Sequence, residues 1–467
     1  MLEQKYSSLG RKGQSYFTEC CRVNIKAEID SSSALVFSAL QYCQNLVIKL
    51  LWSFESTGKL NKLKPTFCTL HTFMLFLLLV GCGLVFPAAA QERLAALAGD
   101  GSVMMQSPNN EVLVSLNPDR ALVPASLIKI PLAQVALTTL GEDFRFETHF
   151  YRNDSGDLLI RGLGDPFLVS EEVARIVDAL AQRGLQQIRR LVMDDSAFES
   201  YPDLPIERGT SQPFGARNSA LAVNFNTVNL DWTGDGTLIT GEPQTPLTVL
   251  ARELGAQLSP GEAQRINLGD DPRAGLRQVQ QLFRLFLEES GITVSDRRFN
   301  SSAVTDEWTL FYRHRSFHSL GDNLVSLLRY SNNFIANQLF LTLGVQGSGY
   351  PATTEVARAA LQQQLAILYG DSFGRNPQSL LMLEGSGLSR TQRSSAAGMM
   401  RILEIFKPYA DLLPEVDGVL RKSGTLTGVY NFAGYIRGPD GLYPFVILTN
   451  QASNNRAEIL ELLQGQL

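Results

Sequence analysis

Apolar and polar positions change their spacing several times along the body of the chain. Near its start, Val103–Gln106 and Val112–Leu116 enclose the turn residues Ser107–Asn110, a pattern that predicts a β-hairpin. The following segment, Ser126–Leu140, is apolar almost all round and stops at Gly141, which predicts a buried helix. The body therefore begins with strands and then becomes helical.

Helical spacing continues through the second half of the chain, and strand spacing returns near its end. Predicted helices cover Glu171–Arg183, Gly275–Glu289, Asn323–Tyr330, Asn333–Leu343, Glu355–Leu368 and Arg456–Leu463. Predicted strands cover Leu185–Asp194, Gly424–Ile436 and Pro444–Asn450. A hairpin first and strands last predict one sheet assembled from both chain ends. The predicted fold class is α/β of the α+β kind, with an antiparallel sheet flanked by helices.

The segment 151–305 mixes turn signals with short strands and helices. We expect it to form an inserted β-containing module. The main domain then comprises residues 91–150 together with 306–467, and residues 1–90 form an N-terminal extension and signal peptide.

The prediction for residues 1–90 depends on an apolar run at 73–86, which is followed by Ala88–Ala90 and preceded by lysines. A positive flank, a short apolar run and small residues at its exit predict a signal peptide cut after Ala90. Two alternatives stay open: an uncleaved membrane anchor, and a lipoprotein with Cys82 as the lipidated residue. We also expect translation to start later than Met1, at about Met74.

Charge and cysteine content narrow the class of protein. The chain has a formal net charge of -5, and its positive excess lies in residues 1–90, which leaves an acidic body. An acidic body without a basic run argues against nucleic-acid binding. All five cysteines lie at or before Cys82, so the body has no cysteine nucleophile and no cysteine-ligated zinc.

Lysine is almost absent from the body, where arginine replaces it nearly everywhere. From residue 91 onward the only lysines are Lys129, Lys407 and Lys422. A buried lysine can lose its proton and act as a base, whereas arginine stays protonated. A lysine kept against this bias is therefore a candidate for chemistry, and two of the three lie in motifs.

The first motif is Ser126-Leu127-Ile128-Lys129, an S-x-x-K at the start of the predicted helix. Residues three apart share a helix face, so the Ser126 hydroxyl and the Lys129 amine can meet. Burial favours the neutral amine, which can then take the serine proton. Alone the motif is weak, and a second copy, Ser56–Lys59, lies in the leader.

The second motif is Ser331-Asn332-Asn333, an S-x-N between two predicted helices. The Ser331 hydroxyl is a candidate proton shuttle between Lys129 and a leaving amine. The Asn333 amide is a candidate to hold either a substrate backbone or Lys129. Other S-x-N triplets occur in the chain, and only the position of this one between the other two motifs distinguishes it.

The third motif is Lys422-Ser423-Gly424-Thr425, the only K-[S/T]-G in the chain. Lys422 can bind a substrate carboxylate, and the hydroxyls of Ser423 and Thr425 can add hydrogen bonds. We expect Gly424 to leave room for an extended peptide that adds to the strand. The backbone N–H groups of Ser126 and Thr425 are candidates for an oxyanion hole.

The order of these three motifs resembles that of the penicillin-recognising serine enzymes. The long gap between Lys129 and Ser331 is similar to that of the D-alanyl-D-alanine carboxypeptidase/endopeptidase group typified by penicillin-binding protein 4. Two departures are Ser423, where threonine is more usual, and Asn337, where an acidic residue is expected. Phrases that resemble this group run from about residue 100 to the C-terminus: LVPASLIKI, GLGDPFLVSEEV, VMDDSAFES, ALAVNFNTVNL, EGSGLSR and KSGTLTGVYNFAGYI.

This resemblance implies a five-stranded antiparallel sheet and a serine D,D-peptidase. Ser126 is then expected to attack the bond between two D-alanines of peptidoglycan stem peptides, with Lys129 and Ser331 moving protons. β-Lactams are the expected acylating inhibitors, and no metal or cofactor is implied. The expected location is the periplasm, with association to the membrane surface if the leader anchors the chain or is lipidated.

Three rival functions share Ser126 with the carboxypeptidase. A D,D-endopeptidase that cuts peptide cross-links cannot be separated from a carboxypeptidase by these motifs. A β-lactamase is disfavoured, because no E-x-x-L-N phrase follows Ser331. A non-catalytic penicillin-binding sensor would keep Ser126 without turnover.

Other polar clusters have simpler interpretations. His314 and His318 are expected to be structural or solvated, because no third metal ligand accompanies them. Asp194-Asp195 and Asp270-Asp271 are expected to serve turns and caps rather than act as paired catalytic carboxylates.

Overall fold

The computed structural model describes residues 88–467 except 201, 206–208, 262, 270 and 272. The predictions for the leader, including the apolar run, Cys82 and Ser56–Lys59, lie outside the described residues, as does Asp270. In the part of the chain that is described, no helix has the length and apolar character needed to cross a bilayer.

Seven of the ten described helices lie at predicted positions, and three had no prediction: Ala88–Ala98, Val249–Gly255 and Ala396–Phe406. In chain order the ten helices are α1 Ala88–Ala98, α2 Lys129–Leu140, α3 Ser170–Gln182, α4 Val249–Gly255, α5 Ala274–Glu289, α6 Leu320–Tyr330, α7 Asn333–Ser348, α8 Thr354–Tyr369, α9 Ala396–Phe406 and α10 Arg456–Gln464. A 3₁₀ turn, Ala125–Ile128, precedes α2, so the predicted helix at Ser126 begins with a tighter turn. Gly141 ends α2 with φ 83°.

The strands are mostly short. They are β1 Ser102–Gln106, β2 Val112–Leu116, β3 Glu147–Arg152, β4 Leu158–Gly162, β5 Gln187–Asp194, β6 Thr227–Trp232, β7 Leu238–Thr240, β8 Gln264–Asn267, β9 Thr293–Asp296, β10 Thr309–Arg315, β11 Phe373–Asn376, β12 Leu380–Leu381, β13 Arg393–Ser394, β14 Glu415–Val416, β15 Val419–Leu426, β16 Val429–Gly438 and β17 Gly441–Leu448.

The largest sheet joins the two ends of the chain, as the pattern predicted. Its order is β14-β15-β16-β17-β1-β2, and every neighbouring pair is antiparallel. Hairpin strand β1 pairs with β17, with Met105 opposite Phe445. Five of its strands have five to ten residues, and the two-residue β14 adds a short sixth to the expected five.

One predicted strand, Gly424–Ile436, is wrong. The segment folds as a hairpin of β15 and β16, with Thr425 opposite Tyr430. The chain reverses at Gly428, whose φ of 73° is a left-handed conformation that glycine adopts without strain. A continuous run of β-forming residues concealed this turn, because only Gly428 signals it.

The main hydrophobic core lies beside this sheet and contains α2 at its centre. Leu132 on α2, Leu339 on α7, Leu403 on α9 and Val446 on β17 are all fully buried in it. Burying one such side chain contributes about 1.5–3 kcal/mol. The predicted all-round burial of α2 is confirmed, and it holds the first motif in a rigid frame.

The middle of the chain forms a second sheet with its own core. Its order is β10-β3-β4-β5-β9, with two antiparallel and two parallel pairs, and α3 and α5 pack on it. A small sheet, β7-β6-β8, lies within the same segment. Strand β3 begins before the predicted bound at 151, and β10 lies wholly beyond the predicted bound at 305. The division into domains stays a prediction.

Candidate active site

The 3₁₀ turn that carries Ser126 is fastened to the main sheet. The side-chain amide of Asn431 on β16 donates to the carbonyls of Val123 and Pro124, at 2.9 and 3.0 Å. Ala125 has φ 49°, a left-handed conformation that costs a non-glycine residue about 1–3 kcal/mol. The surrounding contacts hold this strained residue directly before Ser126, which is a common arrangement at functional sites.

Lys129 lies directly beside the Ser126 hydroxyl, as the motif spacing predicted. Its Nζ is 2.9 Å from Ser126 Oγ and 2.9 Å from Asn333 Oδ1, and it also donates to the carbonyl of Ser386. The side chain is 0% exposed. The first motif and Asn333 of the second therefore meet at one buried amine.

The surroundings of Lys129 favour the neutral amine. Burial lowers the pKa of Lys129 well below its ordinary value, and the positive charge of Lys422 lowers it further. The carboxylate of Glu384 opposes this shift in part. A neutral amine within hydrogen-bond distance of a serine hydroxyl can accept its proton.

The second motif occupies the junction between α6 and α7. Ser331 ends α6 in a left-handed conformation with φ 54°, and Asn332 caps α7 by accepting from the N–H of Ile335 at 3.1 Å. Asn333 contacts Lys129. Among the described residues the Ser331 hydroxyl has no hydrogen-bond partner, so its role as a proton shuttle stays a prediction.

The loop at residues 384–390, which lies outside the three motifs, also contributes to the site. The buried carboxylate of Glu384 accepts from the N–H groups of Ser386 and Gly387, at 2.5 and 2.9 Å, and from the Ser386 hydroxyl at 2.6 Å. This network aims the Ser386 carbonyl at Lys129 Nζ and places it 3.5 Å from Ser126 Oγ. Only the family phrase EGSGLSR signalled this loop in the sequence.

The same loop explains the asparagine that departs from the expected pattern. Asn337 Oδ1 accepts from the N–H of Gly385 at 3.1 Å, so it ties α7 to the loop. Gly387 has φ 89°, and a Cβ on it would lie 2.3 Å from the carbonyl oxygen of Ala125. Close approach of two backbones therefore requires glycine here.

The third motif lies on β15, with alternate residues facing opposite ways. Lys422 is 1% exposed, and its Nζ donates to the carbonyl of Ser423 at 3.0 Å. Burial and the charge of Arg456 lower the pKa of Lys422 to about 8. Ser423 is half-buried and Thr425 is exposed on the other face.

Gly424 makes a different contact from the one predicted. A Cβ on Gly424 would lie 2.5 Å from the carbonyl oxygen of Pro124 and 3.2 Å from Leu127 Cγ. The space that glycine leaves is therefore taken by the turn that carries Ser126, and not left free for a peptide. Gly424 brings β15 close to the nucleophile.

Among the described residues, no strand pairs with the edge of β15 beside this turn beyond the short β14. The N–H of Arg421 donates to Pro414, away from β16. Because backbone N–H groups alternate between the two edges of a strand, those of Ser423 and Thr425 face the same open edge. An extended peptide can therefore pair with β15 there.

The histidine pair and the aspartate pair expected to be structural have hydrogen-bond or packing partners. His314 Nε2 lies 2.6 Å from the buried Glu172 carboxylate, and His318 packs on the Phe167 ring at 5.0 Å. Asp194 accepts from the N–H of Ser196 at 2.9 Å, and Asp195 pairs with Ser219.

Comparisons with known proteins identify the family of the chain. The model of the D-Ala-D-Ala carboxypeptidase 3 (S13) family matches residues 88–257 and 260–414. A D-alanyl-D-alanine carboxypeptidase of Actinomadura is 26% identical over 431 residues, covering 76% of this chain and 78% of that protein. D-alanyl-D-alanine carboxypeptidase DacB of Haemophilus influenzae is 23% identical over 425 residues, covering 75% and 85%.

Solved structures show the same fold. The crystal structure of penicillin binding protein 4 from Haemophilus influenzae aligns with a TM-score of 0.62 at 22% identity, covering 80% of this chain and 98% of that one. A second structure of that protein, complexed with a novel β-lactam, aligns with a TM-score of 0.59. The predicted fold class, an antiparallel sheet flanked by helices and interrupted by an insertion, is confirmed.

The fold and the site together define a class of enzyme, the penicillin-recognising serine D,D-peptidases. The family model covers well over half of the chain. This chain belongs to the D-Ala-D-Ala carboxypeptidase 3 (S13) family.

Proposed function

We propose that Ser126 is the nucleophile that opens the terminal D-alanyl-D-alanine bond of peptidoglycan stem peptides. The observation that carries this proposal is the 2.9 Å contact between Ser126 Oγ and the buried Nζ of Lys129. A serine at its ordinary pKa is a weak nucleophile, and an adjacent neutral base activates it. Burial supplies that neutral base at Lys129.

The reaction then balances in two steps. Ser126 Oγ attacks the penultimate D-alanine carbonyl while Lys129 takes the hydroxyl proton, and the N–H groups of Ser126 and Thr425 stabilise the oxyanion. The C–N bond breaks, and the terminal D-alanine leaves with a proton that returns from Lys129 through Ser331. Water then attacks the acyl-enzyme, which releases the shortened peptide and the free serine.

The open edge of β15 supports a binding mode for the peptide. Its backbone adds to the strand at Ser423 and Thr425, which places the scissile carbonyl beside Ser126. Lys422 contributes positive charge from its buried position, and the Asn333 amide fixes Lys129.

β-Lactams are proposed to acylate Ser126 in the same way. A relative of the same fold has been crystallised with a β-lactam, which supports this proposal. The proposed location is the periplasm, because the substrate lies outside the cytoplasm and the apolar run at 73–86 has the pattern of a signal peptide.

The direct test is release of D-alanine from a muropeptide pentapeptide. We expect wild type to release one D-alanine per peptide and Ser126→Ala to release none. A cross-linked muropeptide dimer assayed in parallel measures the endopeptidase alternative. A wild-type protein that binds penicillin but cleaves neither substrate would make the chain a sensor and refute the proposal.

A further inference from the structure

Arg456, at the start of the last helix, reaches the outer face of β15 beside the third motif. Its Nη1 donates to Thr425 Oγ1 at 2.7 Å, and its guanidinium lies 4.5 Å from the centre of the Phe432 ring. The sequence motifs gave no indication of this arginine, because it is 31 residues from Thr425 in the chain.

Phe432 holds the guanidinium in place. The ring lies opposite Ser423 on the neighbouring strand, so it is on the same sheet face as Ser423 and Thr425. Arg421 also contacts this ring, at 4.7 Å from its centre. A guanidinium packed on an aromatic face loses mobility and gains cation–π attraction. Arg456 is therefore preorganised over the face of β15 and β16, beside the Thr425 hydroxyl.

The surrounding charge is unbalanced. Arg421 and Lys422 lie on β15, and Arg456 opens α10. Within the described part of the chain none of the three forms an ion pair, although the charge of Asp417 partly opposes the lowered pKa of Arg421. Lys422 is buried and bonded to backbone, so Arg456 is the cation nearest the exposed hydroxyl of Thr425. Clustered cations without an acidic partner favour an anionic ligand.

The hydrogen bond to Thr425 also sets the direction of its proton. A threonine hydroxyl has one donor and two acceptor sites. Because Thr425 Oγ1 accepts from Arg456, its own proton is free to be donated to a ligand oxygen at the open edge. An arginine donor and a hydroxyl donor side by side match the two oxygens of a carboxylate.

We infer that Arg456 binds the α-carboxylate of the leaving D-residue together with Thr425, and so makes the enzyme selective for peptides with a free carboxylate there. This inference rests on the proposed function and adds a binding residue outside the three motifs. The buried Lys422 then acts through its charge on the base Lys129, while Arg456 binds the substrate on the exposed face of β15.

The test compares two pentapeptides that differ only in the C-terminal D-alanine, one with a free carboxylate and one with a primary amide. We expect wild type to prefer the free acid. Arg456→Gln is expected to lower kcat/KM for the acid by about 10- to 100-fold, the range of a lost hydrogen bond to a charged group, and to leave the amide nearly unchanged. Arg456→Lys should restore part of the preference.

Arg421→Gln is the matched control, because it removes a guanidinium from the same ring without touching Thr425. It should keep the preference for the free acid. Melting temperatures of all variants report any loss of folding, and Thr425→Val provides a second disruption that leaves Arg456 in place and should also lose the preference.

The outcomes separate this inference from the proposed function. A wild-type enzyme that cleaves both peptides equally, or a preference that survives in Arg456→Gln, overturns the role of Arg456 and leaves the peptidase intact. A wild type that cleaves neither peptide overturns the proposed function, and this inference with it.

Discussion

The buried Lys129 amine has three hydrogen-bond partners, Ser126, Asn333 and Ser386, and these partners orient its nitrogen. Arginine at this position would keep positive charge but could not accept the Ser126 proton. We therefore expect Lys129→Arg to slow acylation by fluorescent penicillin by about 10²- to 10⁴-fold or more. Lys422→Arg keeps a positive charge near Lys129, so its rate of acylation should fall less. Rapid labelling of Lys129→Arg would show that the base lies elsewhere.

The charge of Lys422 acts on Lys129 across the site, and this coupling predicts a pH effect. Lys129 must be neutral to act as a base, so acylation rises with pH through the lowered pKa of Lys129. Lys422→Met removes one cause of that lowering, so the pKa of Lys129 should rise and the acid limb of the acylation profile should move to higher pH. Lys422→Arg is the control that should leave the limb in place. An unchanged limb in Lys422→Met contradicts the coupling.

At the scale of secondary-structure elements, the site depends on backbones that approach closely. Gly387→Ala would force a Cβ to within 2.3 Å of the Ala125 carbonyl and 2.9 Å of the Ser126 N–H. We expect loss of penicillin acylation and a lower melting temperature. Gly418→Ala is the matched control: Gly418 has φ 74°, but a Cβ there meets no atom within 4 Å. Gly418→Ala strains the backbone as Gly387→Ala does, but its Cβ meets no other atom. This variant should therefore be less stable than wild type and still be acylated by penicillin. Equal acylation of both variants would contradict the proposed packing of loop and turn.

The sequence predicted most of the helices and the strands near the two ends of the body, because their hydrophobic period and capping residues are local. The hairpin at Ser102–Leu116 and helix α2 needed only such local signals. The Glu384 network and Arg456 could not be found in this way. Glu384 acts on backbone groups of its own loop, and that loop reaches Lys129 only through the tertiary fold. Arg456 meets Thr425 because α10 packs against β16 and β17, a tertiary contact that no short motif records.

At the scale of the whole molecule, the middle segment and the main domain share buried contacts. Gln338 on α7 donates to the carbonyl of Ser219 at 2.9 Å and accepts from Asn218 at 3.0 Å. Phe198 and Ala220 belong to the same hydrophobic core as α2. The middle segment thus contributes side chains to the packing around Lys129. The position of this segment in the sequence did not predict that contribution.

The mature protein is expected to lack residues 1–90. The apolar run and Ala88–Ala90 fit processing by a signal peptidase. Intact mass and N-terminal sequencing of the exported protein test this. Gln91 as the first residue supports it. An intact apolar segment would support an anchor instead, and a diacylated Cys82 would support a lipoprotein.

The central claim is that Ser126 becomes acylated, and mapping the covalent adduct tests it most directly. Protein treated with penicillin is digested, and each peptide is weighed by mass spectrometry. We expect a single acylated peptide, the one that contains Ser126. The Ser126→Ala variant should carry no adduct, and an unchanged melting temperature would show that this variant is folded. An adduct on another residue, or labelling of Ser126→Ala at the wild-type rate, would contradict the assignment.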